Sequence, residues 1–333
     1  MMPKLPVTIV TGFLGAGKTS LVRHLLVHAE GRRIGLLVNE FGALGIDREL
    51  LLACGDACAD DQVIELANGC ICCTVAEDFL PALTRLLDAP QRPDHIVVET
   101  SGLALPKPLL QALHWPEIKA RVTVDGVIAV IDAAALATGS AAAPPASGFA
   151  AHDDPAEEVF GDQLMAADLV ILNKTDLVAA PALAAAEAAL RKRLRPGVAL
   201  VRAAHGALPP RVLLGLAAAA EDDIAARPSC HDFEPAHDHD DFESFVIARA
   251  PIADPARFAA RLADLAARFG ILRVKGFVEV PGHAFRHVVQ AVGPRVERYF
   301  DRPWQKGEDR QSRLVVIGLK GLDRAAIAAA LEA

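Results

Sequence analysis

Residues 7–19 read Val7-Thr8-Ile9-Val10-Thr11-Gly12-Phe13-Leu14-Gly15-Ala16-Gly17-Lys18-Thr19. An apolar, β-branched run stops at a glycine-rich turn, and Lys-Thr then opens a stretch with helical spacing. Strand, Gly-x4-Gly-Lys-Thr loop and helix follow in the order that gives this motif its meaning. The glycines let successive backbone N–H groups turn inward around a phosphate, and the start of the helix adds partial positive charge. Lys18 is suited to neutralise β- and γ-phosphate oxygens, and the Thr19 hydroxyl to hold Mg²⁺. Gly12, Gly15, Ala16, Gly17, Lys18, Thr19 and Ser20 are therefore the candidate phosphate-binding residues.

Working outward, short β-branched runs recur at 34–38, 63–66, 95–99, 126–132, 169–173 and 198–201. Helical patterns separate several of them, at 19–28, 77–87, 156–166 and 182–194. Near-continuous apolar strands alternating with helices predict an α/β fold with a doubly wound, mostly parallel sheet. This unit is expected over residues 1–224, with the Ala-, Gly-, Ser- and Pro-rich stretch 133–151 as an inserted loop. A His- and Asp-rich linker is read at 225–241. Beyond it, Asp254-Pro255 supplies an N-cap and first-turn proline for a helix that Gly270 ends. With strand-like runs at 242–247, 272–280, 287–292 and 314–319 and a last helix from Asp323, residues 242–333 read as a smaller α+β domain.

The 333 residues are 52% hydrophobic and 23% charged, ordinary globular usage that argues against a disordered or membrane-spanning chain. The net charge of −8 argues against a broad grip on nucleic acid, so phosphate handling must be local. No run suits a signal peptide or a membrane span, and a cytoplasmic location with no membrane partner is expected. In that compartment the six cysteines are better read as thiols or metal ligands than as disulfides.

Two further motifs bear on the nucleotide. Asn173-Lys174-Thr175-Asp176 follows an apolar strand and matches the Asn-Lys-x-Asp pattern of GTPases. The carboxylate of Asp176 can accept two hydrogen bonds from the N1–H and exocyclic amine of guanine, a donor pair that adenine lacks. The strand His95-Ile96-Val97-Val98-Glu99 delivers Glu99, expected to act through Mg²⁺ and water, and then Gly102, whose backbone N–H can sense a γ-phosphate. A P-loop kinase would need an acceptor pocket that these motifs do not suggest.

Asn68-Gly69-Cys70-Ile71-Cys72-Cys73 places three thiols within four positions. Soft thiolates suit Zn²⁺, Cu⁺ or tetrahedral Co²⁺, though the spacing is not that of a zinc-finger pair. Inert packing and redox chemistry are the alternatives. His231, His237 and His239 stand among acids in the linker, where a solvated segment and a weak auxiliary metal site are both open readings.

Taken together, Gly12 to Thr19, Asn39-Glu40-Phe41-Gly42, Gly69 to Cys73, Glu99-Thr100-Ser101-Gly102 and Asn173 to Asp176 resemble, in order, the CobW-type P-loop GTPases, a family of nucleotide-gated metal chaperones and insertases. Val274-Lys275-Gly276-Phe277-Val278-Glu279-Val280 and Phe300-Asp301-Arg302-Pro303-Trp304 look most like the branch tied to cobalt supply for cobalamin synthesis. The resemblance implies a slow GTPase that binds Co²⁺ through Cys70, Cys72 and Cys73 in the Mg-GTP state. Hydrolysis would then release the ion to a cobaltochelatase or another metal-receiving enzyme. Glu40 is a candidate further ligand. The alternatives are a zinc chaperone of the same family and, from another class, a non-catalytic nucleotide-responsive metal buffer or sensor.

Overall fold

The computed structural model describes residues 3–39, 63–66, 79–139, 155–229, 242–305, 308 and 310–332, which fall into two compact units divided in the linker region. The first unit holds a seven-stranded sheet made of β1 (Leu5–Thr11), β2 (Ile34–Asn39), β3 (Val63–Leu66), β4 (His95–Glu99), β5 (Val122–Asp132), β6 (Leu169–Asn173) and β7 (Ala199–Arg202). Their order is β3-β2-β4-β1-β5-β6-β7, and every pairing is parallel. The chain winds one way from β1 through β4 and the other way through β5, so β1 stands at the switch point where such sheets bind ligands beyond their carboxyl ends.

Helices cover both faces: α1 (Lys18–Val27), α2 (Leu80–Leu87), α3 (Pro106–Leu113), α4 (Ala133–Thr138), α5 (Pro155–Ala166) and α6 (Ala180–Arg191). Side chains alternate between the layers. Val7, Ile9, Ile96 and Val98 pack towards α2 and α3, whereas Val10, Leu36, Val97 and Ile128 pack towards α1. Each of these fully buried side chains contributes roughly 1.5–3 kcal/mol relative to exposure. No helix among the described residues is long and apolar enough to cross a membrane.

Two boundaries differ from the sequence reading. The stretch from Ala133, expected to be a loop, begins as α4, because Asp132 caps it by accepting from the N–H groups of Ala134 (2.9 Å) and Ala135 (3.1 Å). The linker read from residue 225 begins later. Arg227 is buried, donating to Asp168 and to the carbonyl of Ala166, and the Ser229 hydroxyl donates to Asp162 on α5. The first unit thus extends through Ser229.

A buried polar triad links β1, β4 and β5. Thr8 Oγ1 lies 2.7 Å from His95 Nε2 and donates to Asp125 Oδ2 at 3.3 Å, while Asp125 also accepts from the N–H groups of Gly215 and Ala217. Burial pushes the His95 ring down to about 4, against a partial upward pull from Asp125. The unfolded chain therefore takes up this proton more readily than the folded one. The resulting stabilisation is complete above the ordinary histidine value near 6.5 and is lost as pH falls from there through 4. Urea titrations between pH 7 and pH 4 are expected to show wild type losing up to roughly 3 kcal/mol more than His95→Gln. Parallel pH profiles for the two proteins would remove His95 as the cause.

The second unit is a five-stranded antiparallel sheet of β8 (Phe242–Arg249), β9 (Ile271–Val278), β10 (Phe285–Val292), β11 (Arg295–Pro303) and β12 (Ser312–Leu319), in the order β11-β10-β9-β12-β8. Helices α7 (Pro255–Phe269) and α8 (Arg324–Glu332) lie against one face. Asp254 caps α7 through the N–H groups of Ala256 and Arg257, both at 3.0 Å. Phe258, Leu262 and Leu265 then meet Val274, Val289, Leu314 and Val316 in the core.

Candidate functional site

The loop after β1 leaves the sheet through Gly12, whose φ is +135°. A Cβ there would stand 2.1 Å from the Val130 carbonyl oxygen of β5, so only glycine lets the loop turn this close to the sheet. Lys18 is buried, and its ammonium donates to the carbonyls of Gly12 (2.7 Å) and Phe13 (3.3 Å), closing the loop on itself. α1 begins directly behind it with Gly17 as N-cap and no side-chain cap, leaving first-turn N–H groups pointed where an anion is favoured. Ser20 is exposed on the same turn.

Thr19 joins this loop to β4: its hydroxyl donates to Glu99 Oε1 at 2.6 Å, and Glu99 is 3% exposed. Beyond Glu99, Thr100 N–H donates to the Val10 carbonyl, and its hydroxyl donates to Thr11 Oγ1. The chain then crosses the phosphate loop so closely that a Cβ on Gly102 would lie 2.7 Å from the Leu14 nitrogen. From α5, the fully buried Gln163 donates through Nε2 to the carbonyls of Gly102 (3.2 Å) and Ala104 (3.3 Å). Its position inside a helical pattern carried no sign of this task.

The end of β6 is tied to the same loop. Asn173, 1% exposed, donates from Nδ2 to the Ala16 carbonyl at 2.9 Å and accepts the Gly206 N–H at 3.0 Å. Lys174 follows with φ +60° and pairs at 3.3 Å with Asp132, the cap of α4. The turn Thr175–Leu177 then presents Asp176, partly exposed, with His205 Nε2 3.6 Å from its carboxylate. Thr175 fastens this turn to the segment after β7 by donating its hydroxyl to the Ala203 carbonyl at 2.9 Å. Sequence reasoning missed Asp132 and the 203–206 segment. A glycine just past the last strand of the sheet was the available signal for the latter.

Gly12, Gly15, Ala16, Gly17, Lys18, Thr19, Glu99, Gly102 and Asn173 are thus gathered at the carboxyl edge of the sheet, with Lys174 and Asp176 on the turn beside it. Glu40, Cys70, Cys72 and Cys73 lie outside the described residues, as do Cys54, Cys58, Cys230, His231, His237 and His239. Among the described residues, no group of three or more His, Cys, Asp or Glu side chains is placed to hold a metal ion. The hydroxyl of Thr19 and the buried carboxylate of Glu99 are hard oxygen donors beside the phosphate loop, a set that fits Mg²⁺.

A parallel sheet with a glycine-rich phosphate loop at its switch point and an Asn-Lys-x-Asp turn on the same edge defines a P-loop nucleotide-binding protein. Residues 6–202 match the nucleotide-binding domain of CobW/HypB/UreG, and residues 242–333 match the cobalamin synthesis protein cobW C-terminal domain. The chain belongs to the CobW/HypB/UreG family of P-loop GTPases. It is 50% identical to the zinc chaperone CobW of a Sinorhizobium species, over 99% of this chain and 97% of that one. To the zinc chaperone YjiA of Escherichia coli (strain K12) it is 32% identical, over 96% and 95%. The crystal structure of Zn(II)-bound YjiA GTPase from E. coli aligns over 99% of this chain and 98% of that one, with 25% identity and a TM-score of 0.44.

Proposed function

We propose that this chain is a GTP-gated zinc chaperone. In this reading the loop from Gly12 to Ser20 holds the phosphates, and Asn173, Lys174 and Asp176 form the guanine end of the site. Lys18 neutralises charge on the β- and γ-phosphoryl groups, and the Thr19 hydroxyl is a ligand for Mg²⁺. Mg²⁺, held by Thr19 and Glu99, supplies further charge neutralisation there when bound. Gly102 senses the γ-phosphate through its N–H, and Gln163 positions it by gripping its carbonyl. Cys70, Cys72 and Cys73 bind the ion as thiolates, with Glu40 as a candidate fourth donor. Hydrolysis loosens these segments, and the ion passes to a metal-receiving enzyme in the cytoplasm.

The observation that carries the gate is the 2.6 Å bond from Thr19 to Glu99, because it ties the phosphate loop to the strand that leads into Gly102. Zinc is favoured as cargo by the soft thiolates and by the names of the long relatives, both zinc chaperones. The likeness of 274–280 and 300–304 to the cobalt-supplying branch makes Co²⁺, delivered to a cobaltochelatase, the second reading.

The test is an anaerobic titration of the full chain with Zn²⁺ or Co²⁺ against a competing chelator, in Mg-GDP and then in Mg with a non-hydrolysable GTP analogue. Zn²⁺ binding at least about tenfold tighter with the analogue is expected, and GTP affinity must rise by the same factor when Zn²⁺ is present. Equal affinity in both nucleotide states would overturn the gate and leave a metal-binding GTPase. A larger nucleotide effect on Co²⁺ than on Zn²⁺ would move the cargo to cobalt.

A further inference from the structure

We propose that His24 and His28 form a surface site for a divalent ion of the imidazole-preferring class, Zn²⁺, Ni²⁺ or Cu²⁺, at the carboxyl end of α1. The two residues are one turn apart on a helix, so their side chains share a face. Their rings stack with centroids 4.1 Å apart and planes 28° from parallel. Metal–imidazole nitrogen bonds are about 2.0–2.1 Å long, so binding one ion through both rings requires the His24 ring to turn out of the stack while His28 keeps its bond to the His24 carbonyl.

The hydrogen bonding selects the tautomer that a ligand needs. His28 Nδ1 lies 2.8 Å from the His24 carbonyl oxygen, which can only accept. The proton therefore sits on Nδ1, and the lone pair on Nε2 faces outward. An N–H···O=C bond of this kind is how metal-bound imidazoles are commonly oriented. His28 is also the C-cap of α1, where the last carbonyls carry partial negative charge that favours a cation. His24 is partly buried and His28 exposed, which leaves room for water to complete the coordination.

This pair is separate from the nucleotide chemistry. His24 lies about one and a half turns beyond Thr19 along α1 and points well away from it around the helix axis. Neutral imidazole donors discriminate against Mg²⁺, which takes oxygen ligands. The proposal therefore stands whether or not the thiolate segment carries zinc.

The experiment uses the full chain in Mg-GDP, with Cys70, Cys72 and Cys73 replaced by Ser and His231, His237 and His239 by Ala, so that neither segment competes. Ni²⁺ is the probe, followed by calorimetry and by paramagnetic broadening of amide resonances. About one ion per chain at a micromolar dissociation constant is expected, with broadening centred on residues 23–29. His28→Ala, at an exposed position that should leave the fold intact, is expected to weaken binding at least about tenfold and remove that broadening. Unchanged affinity in His28→Ala, or broadening centred elsewhere, would overturn the site.

Discussion

Asp176→Asn is expected to lower GTP affinity by roughly a hundredfold to ten-thousandfold and to give the protein a preference for xanthosine triphosphate. The turn Thr175–Leu177 is held from both sides, by the αL conformation of Lys174 and by the Thr175–Ala203 bond, so the substitution changes a donor set without moving the backbone. A carboxylate accepts from both the N1–H and the exocyclic amine of guanine. An asparagine side chain turns one acceptor into a donor, which clashes with that amine and matches the C2 carbonyl of xanthine. Fluorescence competition with GTP, ATP and xanthosine triphosphate reads this directly. Wild-type binding of ATP as tight as GTP, unchanged in the variant, would show that Asp176 does not read the base.

The reversal should leave the other half of the site alone. The phosphate loop is closed by Lys18 on its own carbonyls and fastened to β6 by Asn173, and neither contact involves Asp176. His205 is a nearby complication among the described residues: its ring is 83% exposed and 3.6 Å from the carboxylate, so its pairing with Asp176 is weak and screened.

The strands of the first unit were readable because burial on both faces forces runs such as Ile96 to Val98 and Leu169 to Leu172 to be apolar throughout. α3 was not, because Pro106 and Pro108 look like breakers although proline suits the first turn of a helix. β11 was missed for the opposite reason. It is an edge strand, and Arg295, Glu297, Arg298 and Arg302 give it the charged, exposed pattern that protects sheet edges. At the site, residues that a ligand motif demands were legible as motifs. Gln163, Asp132 and the Gly206 N–H act by holding those motifs in place, and such roles depend on tertiary neighbours that sequence spacing does not report.

Cys72→Ala combined with Cys73→Ala is expected to abolish tight Zn²⁺ binding while GTP affinity without metal stays within about twofold of wild type. A structural zinc site of four ligands is worth roughly 10–16 kcal/mol, so losing two thiolates should weaken binding by about a thousandfold or more. The nucleotide contacts proposed above would come from β1, α1, β4, β6 and the turn after β6, whereas the cysteines fall in sequence between β3 and α2. The two functions are therefore separable by mutation even though the proposed gate couples them. GTP turnover should remain measurable in the double variant but lose its response to added Zn²⁺. Retained tight Zn²⁺ binding would take the ion away from this motif. Lost binding together with lost GTP affinity would point instead to a folding defect, which circular dichroism and the unfolding midpoint would reveal. Binding lost with the fold and GTP affinity intact is the result that the thiolate reading requires.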